Sequence, residues 1–137
     1  MELRPATDGD LAAMHAAYTA ALDSVFKPHG FEGPASPLDV FTNVQRHVAR
    51  TGRSFVADDD GELVAFGSSW QRGDDWFLAS LFVAPRAQGR GVGSALLDAV
   101  WGDASRRRTM TDAIQPISNA LYGRRGLIPS TPVLTFT

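Results

Sequence analysis

The chain has 137 residues, 44% of them apolar and 20% charged, with a formal net charge of −2 and no cysteine. These figures describe one domain with enough apolar material for a core. They exclude disulfides, thiolate nucleophiles, cysteine metal sites and nucleic-acid binding through bulk positive charge.

No apolar run is long enough to span a bilayer. Met1–Pro5 lacks the basic and apolar stretches of a secretory leader, and the absence of cysteine suits a reducing compartment. The expected setting is therefore the cytoplasm, with neither a membrane nor a nucleic acid as partner. Glu2–Ala6 reads as a first strand, with Pro5 marking an edge or an end. Thr7-Asp8-Gly9-Asp10 is a helix start, and Leu11, Met14, Tyr18, Leu22 and Val25 then recur at helical spacing. Prolines and glycines make residues 27–35 a loop. A second helix follows, with Ser36 as its cap, Pro37 at its first position and Leu38, Phe41, Val44 and Val48 on its buried face. Gly52 is its stop.

Ser54–Ala57 and Leu63–Phe66 read as two strands of a hairpin closed by Asp58-Asp59-Asp60-Gly61, with Ser68–Trp70 prolonging the second. After the turn Arg72–Asp75, a third strand runs from Trp76 to Val83. Val92, Leu96 and Val100 mark the next helix. Thr109–Ile114 reads as a strand, Ser118–Arg125 as a helix ended by Gly126, and Val133–Thr137 as a final strand. The order β-α-α-β-β-β-α-β-α-β predicts an α/β fold. Its sheet is mixed and mostly antiparallel, with helices on both faces and a parallel pair flanking the third helix.

The sequence between that third strand and third helix carries the chemistry. In Gln88-Gly89-Arg90-Gly91-Val92-Gly93 alternate glycines permit positive φ and close backbone approach. The helix start adds unpaired N–H groups and a positive dipole end, which suits phosphate. Arg86 and Arg90 flank it and are expected to add charge-assisted bonds. No Gly-Lys-Ser/Thr follows, so this is no Walker loop. A dinucleotide fingerprint fits Gly89 and Gly91, with Asp112 roughly 20 residues further on as a ribose acid. Too little chain follows to complete such a fold, and nucleotide-dependent oxidoreduction is the minor reading.

The run Leu81-Phe82-Val83-Ala84-Pro85…Gln88-Gly89-Arg90-Gly91-Val92-Gly93…Leu96-Leu97 resembles the coenzyme A segment of the GCN5-related N-acetyltransferase (GNAT) superfamily. Leu121-Tyr122-Gly123-Arg124-Arg125-Gly126-Leu127 is similar to that family's later Leu-Tyr-x-x-x-Gly-Phe segment. The resemblance implies acetyl-coenzyme A as co-substrate, with no metal. It implies a diphosphate held on the amides of Gln88, Gly89, Arg90, Gly91, Val92 and Gly93, with Ser94 close by. It also implies a pantetheine arm pairing with Leu81, Phe82 and Val83 where two strands part after Ile114. The implied reaction is direct attack of an amine on the thioester. An N–H near Phe82 would stabilise the oxyanion, and Tyr122 would act as general acid on the leaving thiolate.

The family's asparagine seven residues before the tyrosine is replaced by Gln115, and Asn119 is the other amide at hand. For the general base the candidates are Glu32 and Asp75, with Asp74 and His29 behind them. Tyr18, Phe31 and Trp70 are expected to line the acceptor pocket. The resembled fold closes with two strands after the last helix, whereas the roughly ten residues after Gly126 suffice for one at about 3.3 Å per residue. The exposed edge is expected to be covered by a second copy or a further domain through the C-terminal strand. The alternative to catalysis is a coenzyme A-binding sensor of the same fold.

Overall fold

Side-chain alternation along three long strands divides the core into two layers, one on each face of a single sheet. The computed structural model describes residues 1–134. Strands β1 (Glu2–Pro5), β2 (Gly52–Asp59), β3 (Glu62–Arg72), β4 (Asp75–Val83) and β5 (Arg106–Thr109) lie in that spatial order. The pairs β1–β2, β2–β3 and β3–β4 are antiparallel and β4–β5 is parallel. The helices are α1 (Leu11–Phe26), α2 (Leu38–Thr51), α3 (Val92–Val100) and α4 (Pro116–Arg124).

Val56, Phe66 and Phe82 turn to one face, where Leu11, Met14 and Ala17 of α1 and Phe41 of α2 cover them. Ala57, Ala65, Leu81 and Val83 turn to the other face, against Val92 and Leu96 of α3. Each large side chain so buried contributes about 1.5–3 kcal/mol. The β2–β3 hairpin closes through Asp60 and Gly61, both at positive φ (52° and 81°), as a two-residue turn matched to strand twist requires. Ahead of α1, the Thr7 amide donates to Asp10 Oδ2 at 2.7 Å. Arg4 bonds both carboxylate oxygens of Asp10, and its guanidinium holds that carboxyl down to about 2.

Two departures from simple pairing shape the centre. Ser68 pairs with Ser80 but Ser69 with Leu78, so Ala79 is an extra residue bulged out of β4. The bulge lets both Leu78 and Leu81 face the α3 side. The second departure is that β5 is short: its pairing with β4 ends at Leu78–Thr109, while β4 runs on to Val83.

Several expectations need correction. The strand expected over Thr109–Ile114 lies earlier, at Arg106–Thr109, and the strands part after Thr109 rather than after Ile114. Arg107 explains the misreading, since it serves as an apolar filler. Its guanidinium lies 4.0 Å from the Trp101 ring centroid and 5.1 Å from that of Trp76, and it donates to the carbonyls of Trp101 and Gly102. Burial pushes its pKa down. Helix α2 starts one residue late, with Pro37 rather than Ser36 at the cap. In the final expected strand, Val133 and Leu134 are not in a strand, and Thr135–Thr137 lie outside the described residues.

Gly52, where α2 turns into β2, tolerates no side chain: a Cβ there would stand 1.9 Å from the Ser69 carbonyl oxygen. Gly52→Ala is expected to lower unfolding free energy by about 1–3 kcal/mol, measured by urea denaturation.

Candidate functional site

Where β5 stops pairing, the far edge of β4 has no strand beside it among the described residues. The Ala84 amide donates to the Val64 carbonyl at 2.8 Å. Antiparallel alternation then directs the backbone groups of Phe82 and Ser80 at β3 and those of Leu81 and Val83 at the open edge. The Val83 carbonyl does face that way, accepting from Gln88 Nε2 at 3.0 Å. The amide expected near Phe82 is thus one of its neighbours, because Phe82 itself pairs with Phe66.

The parting opens a cleft of about 380 Å³ that runs through the sheet between its two faces. Ala21, Leu22 and Val25 of α1 line one wall, and Val92, Leu121 and Tyr122 the other. Leu81, Phe82, Val83, Gln88, Gly89, Gly91, Gly93, Ser94 and Gln115 also line it, so most of the expected donor residues come together.

At one end of the cleft the chain turns the corner into α3. A short turn at Pro85–Ala87 leads to Gly89 (φ 77°) and Gly91 (φ 80°), the latter being the helix cap. A Cβ built on either glycine meets nothing within 4 Å, so the constraint there is backbone conformation, not crowding. At Gly93 a Cβ would reach 3.7 Å from Leu121 and from Val83, narrowing the cleft. The first helical bond runs from the Ala95 amide to the Gly91 carbonyl, leaving the amides of residues 92–94 without a partner among the described residues. An extended arm carrying amide groups fits the open edge of β4, and a diphosphate fits the corner.

The flanking arginines are otherwise engaged. Arg86 pairs with Glu62 at 2.7 Å and Arg90 with Asp59 at 2.8 Å, and Arg90 does not line the cleft. The Arg90 guanidinium holds the Asp59 carboxyl below its usual range. Arg124, missed in the sequence, does line the cleft and has no ion-pair partner among the described residues. It lies one turn beyond Leu121, the residue facing Gly93. Arg125 ties the same helix end to α3, donating to Ser94 Oγ at 3.1 Å and pairing with Asp98 at 2.7 Å.

Tyr122 is 6% exposed, packed among Trp76, Leu78, Leu97 and Val100. Burial pushes its hydroxyl up to about 12, so it is a neutral phenol at physiological pH. The hydroxyl makes no hydrogen bond with the described residues. Gln115 and Asn119 are occupied in shaping the approach to α4. Gln115 Oε1 caps the helix by accepting from the Ile117 amide at 3.1 Å, and Asn119 Nδ2 donates to the carbonyls of Asp112 and Gln115. Asn119 does not line the cleft.

The expected base and acceptor residues lie elsewhere. Asp75 starts β4, at the opposite end from the glycine corner, and is bound by Arg106 at 2.8 Å, which pulls its pKa down. Glu32 stands in the exposed loop after α1. Trp70 stacks on Phe77 near the start of β4, with Arg72 over its ring, and Phe31 is 63% exposed. Tyr18 is a core residue: it stacks on Phe41, meets Phe82 edge-on, and its hydroxyl accepts from the Ser36 amide at 3.0 Å. The one carboxylate lining the cleft among the described residues is that of Asp112, just past β5. The signal for it was its position at the strand end, masked when the strand was placed over it. No group of three acidic or histidine side chains suited to a metal occurs among the described residues, nor does a helix long and apolar enough to cross a membrane.

No curated protein matches the chain. Among solved structures it is similar to the aminoglycoside acetyltransferase AAC(6')-Iy in complex with a coenzyme A–acetylneamine bisubstrate analogue. That match has 19% identity and a TM-score of 0.71, covering 99% of this chain and 96% of that one. It is also similar to a ribosomal-protein-alanine N-acetyltransferase from Brucella melitensis, with 23% identity and a TM-score of 0.72, covering 92% and 83% of the two chains. A third is an aminoglycoside 6'-N-acetyltransferase from Acinetobacter haemolyticus, with 14% identity and a TM-score of 0.69, covering 100% and 97%. At such identities these likenesses establish the fold. The family model described as "Acetyltransferase (GNAT) family" matches residues 14–127, the span that holds the bulged strand, the glycine corner and Tyr122, and the chain belongs to that family.

Proposed function

We propose that the chain transfers an acetyl group from acetyl-coenzyme A to a primary amine by direct attack while both are bound. The observation that carries this reading is the meeting, in one cleft, of the glycine corner, the edge of β4 beyond its pairing with β5 and Tyr122. The amides of residues 92–94 and the backbone of Gln88–Gly91 hold the diphosphate, and Arg124 supplies the cation that Arg86 and Arg90 withhold. Leu81 and Val83 pair with the pantetheine arm and offer an N–H to the charge developing on the thioester oxygen. The co-substrate supplies the activated acyl carbon.

Asp112 is the base in this reading. A primary amine near pKa 10 arrives protonated. Asp112 orients the ammonium and takes one proton, which frees the nitrogen lone pair to attack. The C–N bond forms, the C–S bond breaks, and the Tyr122 O–H gives its proton to the departing sulfur. The acylated nitrogen then loses its second surplus proton to the Tyr122 phenolate through water in the cleft, and Asp112 releases its proton to solvent. An aminoglycoside amine and a protein α-amine are the first acceptors to try, given what the structural neighbours' names say of them. The sensor reading draws support from one observation, that Glu32 and Asp75 both lie away from the cleft. An assay of thiol release over an amine panel separates the two: turnover supports the transferase, and binding without turnover supports the sensor.

Tyr122→Phe keeps the ring and removes the proton. Its kcat is expected to fall about 100-fold with the dissociation constant for acetyl-coenzyme A unchanged. The raised pKa also has a stability consequence. The folded state holds the phenolic proton more tightly than the unfolded chain, so this contribution is whole below pH 10 and is lost as pH rises through 12. Tyr122→Phe is expected to overtake the wild type in thermal stability across that window.

Asp112→Asn is expected to cut kcat by about 100-fold at neutral pH, with partial recovery at high pH where free amine is plentiful. Unchanged rates would remove Asp112 as base.

We further infer that a second copy, or another domain, covers β5. That strand has no outer neighbour among the described residues, and Ile128, Val133 and Leu134 are exposed. Light scattering of the purified chain is expected to report a dimer; a monomer at high micromolar concentration would contradict self-association.

A further inference from the structure

The α1 wall of the cleft is apolar except at one residue. Ala21, Leu22, Val25 and Phe82 form it, and Ser80 interrupts it. Ser80 follows the bulged Ala79, so it stands at the point where β4 changes register. Behind it lies a polar chain sealed inside the core. Gln45 of α2, 4% exposed, donates from Nε2 to Ser80 Oγ at 3.0 Å. Gln45 Oε1 in turn accepts from Ser68 Oγ at 3.4 Å, and Ser68 is wholly buried.

A buried amide and two buried hydroxyls cost stability beside apolar alternatives of equal shape, so their presence in a sheet–helix interface calls for a reason. The direction of the bonds supplies one. Ser68 gives its proton to Gln45, and Gln45 gives one of its own to Ser80. Ser80 is therefore an acceptor toward the core, and its own proton has no acceptor among the described residues. That proton is left for the cleft. Tyr122 packs against Leu78 on the other face of the sheet, just across the bulge. Tyr122 and Ser80 line the same cleft, so a thioester whose sulfur meets Tyr122 has its acyl group in the space that Ser80 also lines.

We propose that Ser80 is a catalytic hydrogen-bond donor to the acyl oxygen of the bound thioester, and that Gln45 is the positioning residue that turns the Ser80 proton into the cleft. The proposal rests on the acetyl-coenzyme A reading given above. The donor strengthens as negative charge gathers on that oxygen, in a site where the apolar wall keeps water away.

The test uses the full chain with acetyl-coenzyme A carrying a ¹³C carbonyl, read by isotope-edited infrared spectroscopy beside steady-state kinetics. In the wild type the bound carbonyl stretch is expected to lie below its position in water. Ser80→Ala is expected to raise that frequency, to lower kcat on the order of 100-fold and to leave coenzyme A affinity within about twofold. Ser80→Thr, which keeps the hydroxyl, is expected to restore most of both. Gln45→Glu offers a carboxylate that takes the Ser80 proton, reversing the bond. It is expected to reproduce the Ser80→Ala frequency and rate, and the double variant to be no worse than either alone. A purely structural role would lower thermal stability without moving the carbonyl band. A folded Ser80→Ala with wild-type frequency and kcat overturns the proposal, whatever becomes of Gln45→Glu. A wild type that binds no acetyl-coenzyme A overturns the donor reading itself, and this inference with it.

Discussion

One strand edge without a neighbour governs the molecule. β5 pairs with β4 only as far as Leu78–Thr109, yet β4 continues to Val83 between two layers of helix. Backbone N–H and C=O groups in such a place need partners. Among the described residues side chains supply two, from Gln88 to the Val83 carbonyl and from Thr109 to the Leu78 carbonyl where the strands part. An extended ligand with its own amides can satisfy the rest, and no further strand of the described chain does so. Under the proposed function the parting turns a requirement of folding into a binding site, in keeping with the rule that ligands of α/β sheets settle where neighbouring strands diverge.

Keeping that gap open demands stiffness around it, and arginines supply much of it. Arg107 lies over Trp76 and Trp101, and Arg125 spans the same Trp101 ring, Asp98 and Ser94. Both are flat cations bearing several donors, suited to packing on indole faces while bonding carbonyls at the rim. They fasten β5 and the end of α4 to α3. Tyr122 is then held against Leu97 and Val100 where it lines the cleft. The Trp76 indole donates to the Val100 carbonyl at 2.8 Å and Ser69 to the same oxygen, so the end of α3 is anchored on the sheet.

How legible each part was follows from how directly a residue type dictates geometry. Positive φ at Gly89 and Gly91 is a demand few other residues meet, so the corner could be read from the letters alone. The hairpin Asp60-Gly61 and the apolar rows of α1 and α3 were legible for similar reasons. β5 was not, because Arg106-Arg107-Arg108 spells a solvated loop until the indoles that receive Arg107 are folded around it. Trp70 and Asp75 were misplaced for a topological reason. In an antiparallel hairpin the end of β3 lies beside the start of β4, and the cleft opens at the other end. The amides of Gln115 and Asn119 looked available for a ligand but satisfy backbone groups ahead of α4, a local use that composition cannot distinguish from recognition.

The distribution of charge around the corner explains why the fold outlasts its sequence. Arg86 and Arg90 are paired with carboxylates of the β2–β3 hairpin, in half-exposed ion pairs of the kind worth about 0–1 kcal/mol. They brace the loop against the sheet. Under the proposed function, anion holding falls to main-chain amides and the start of α3, whatever side chains stand between the glycines. Positive φ constrains the sequence of the corner at Gly89 and Gly91. The packing that aims it constrains apolar volume and not identity. Chains that agree at 14–23% of positions can therefore share the fold.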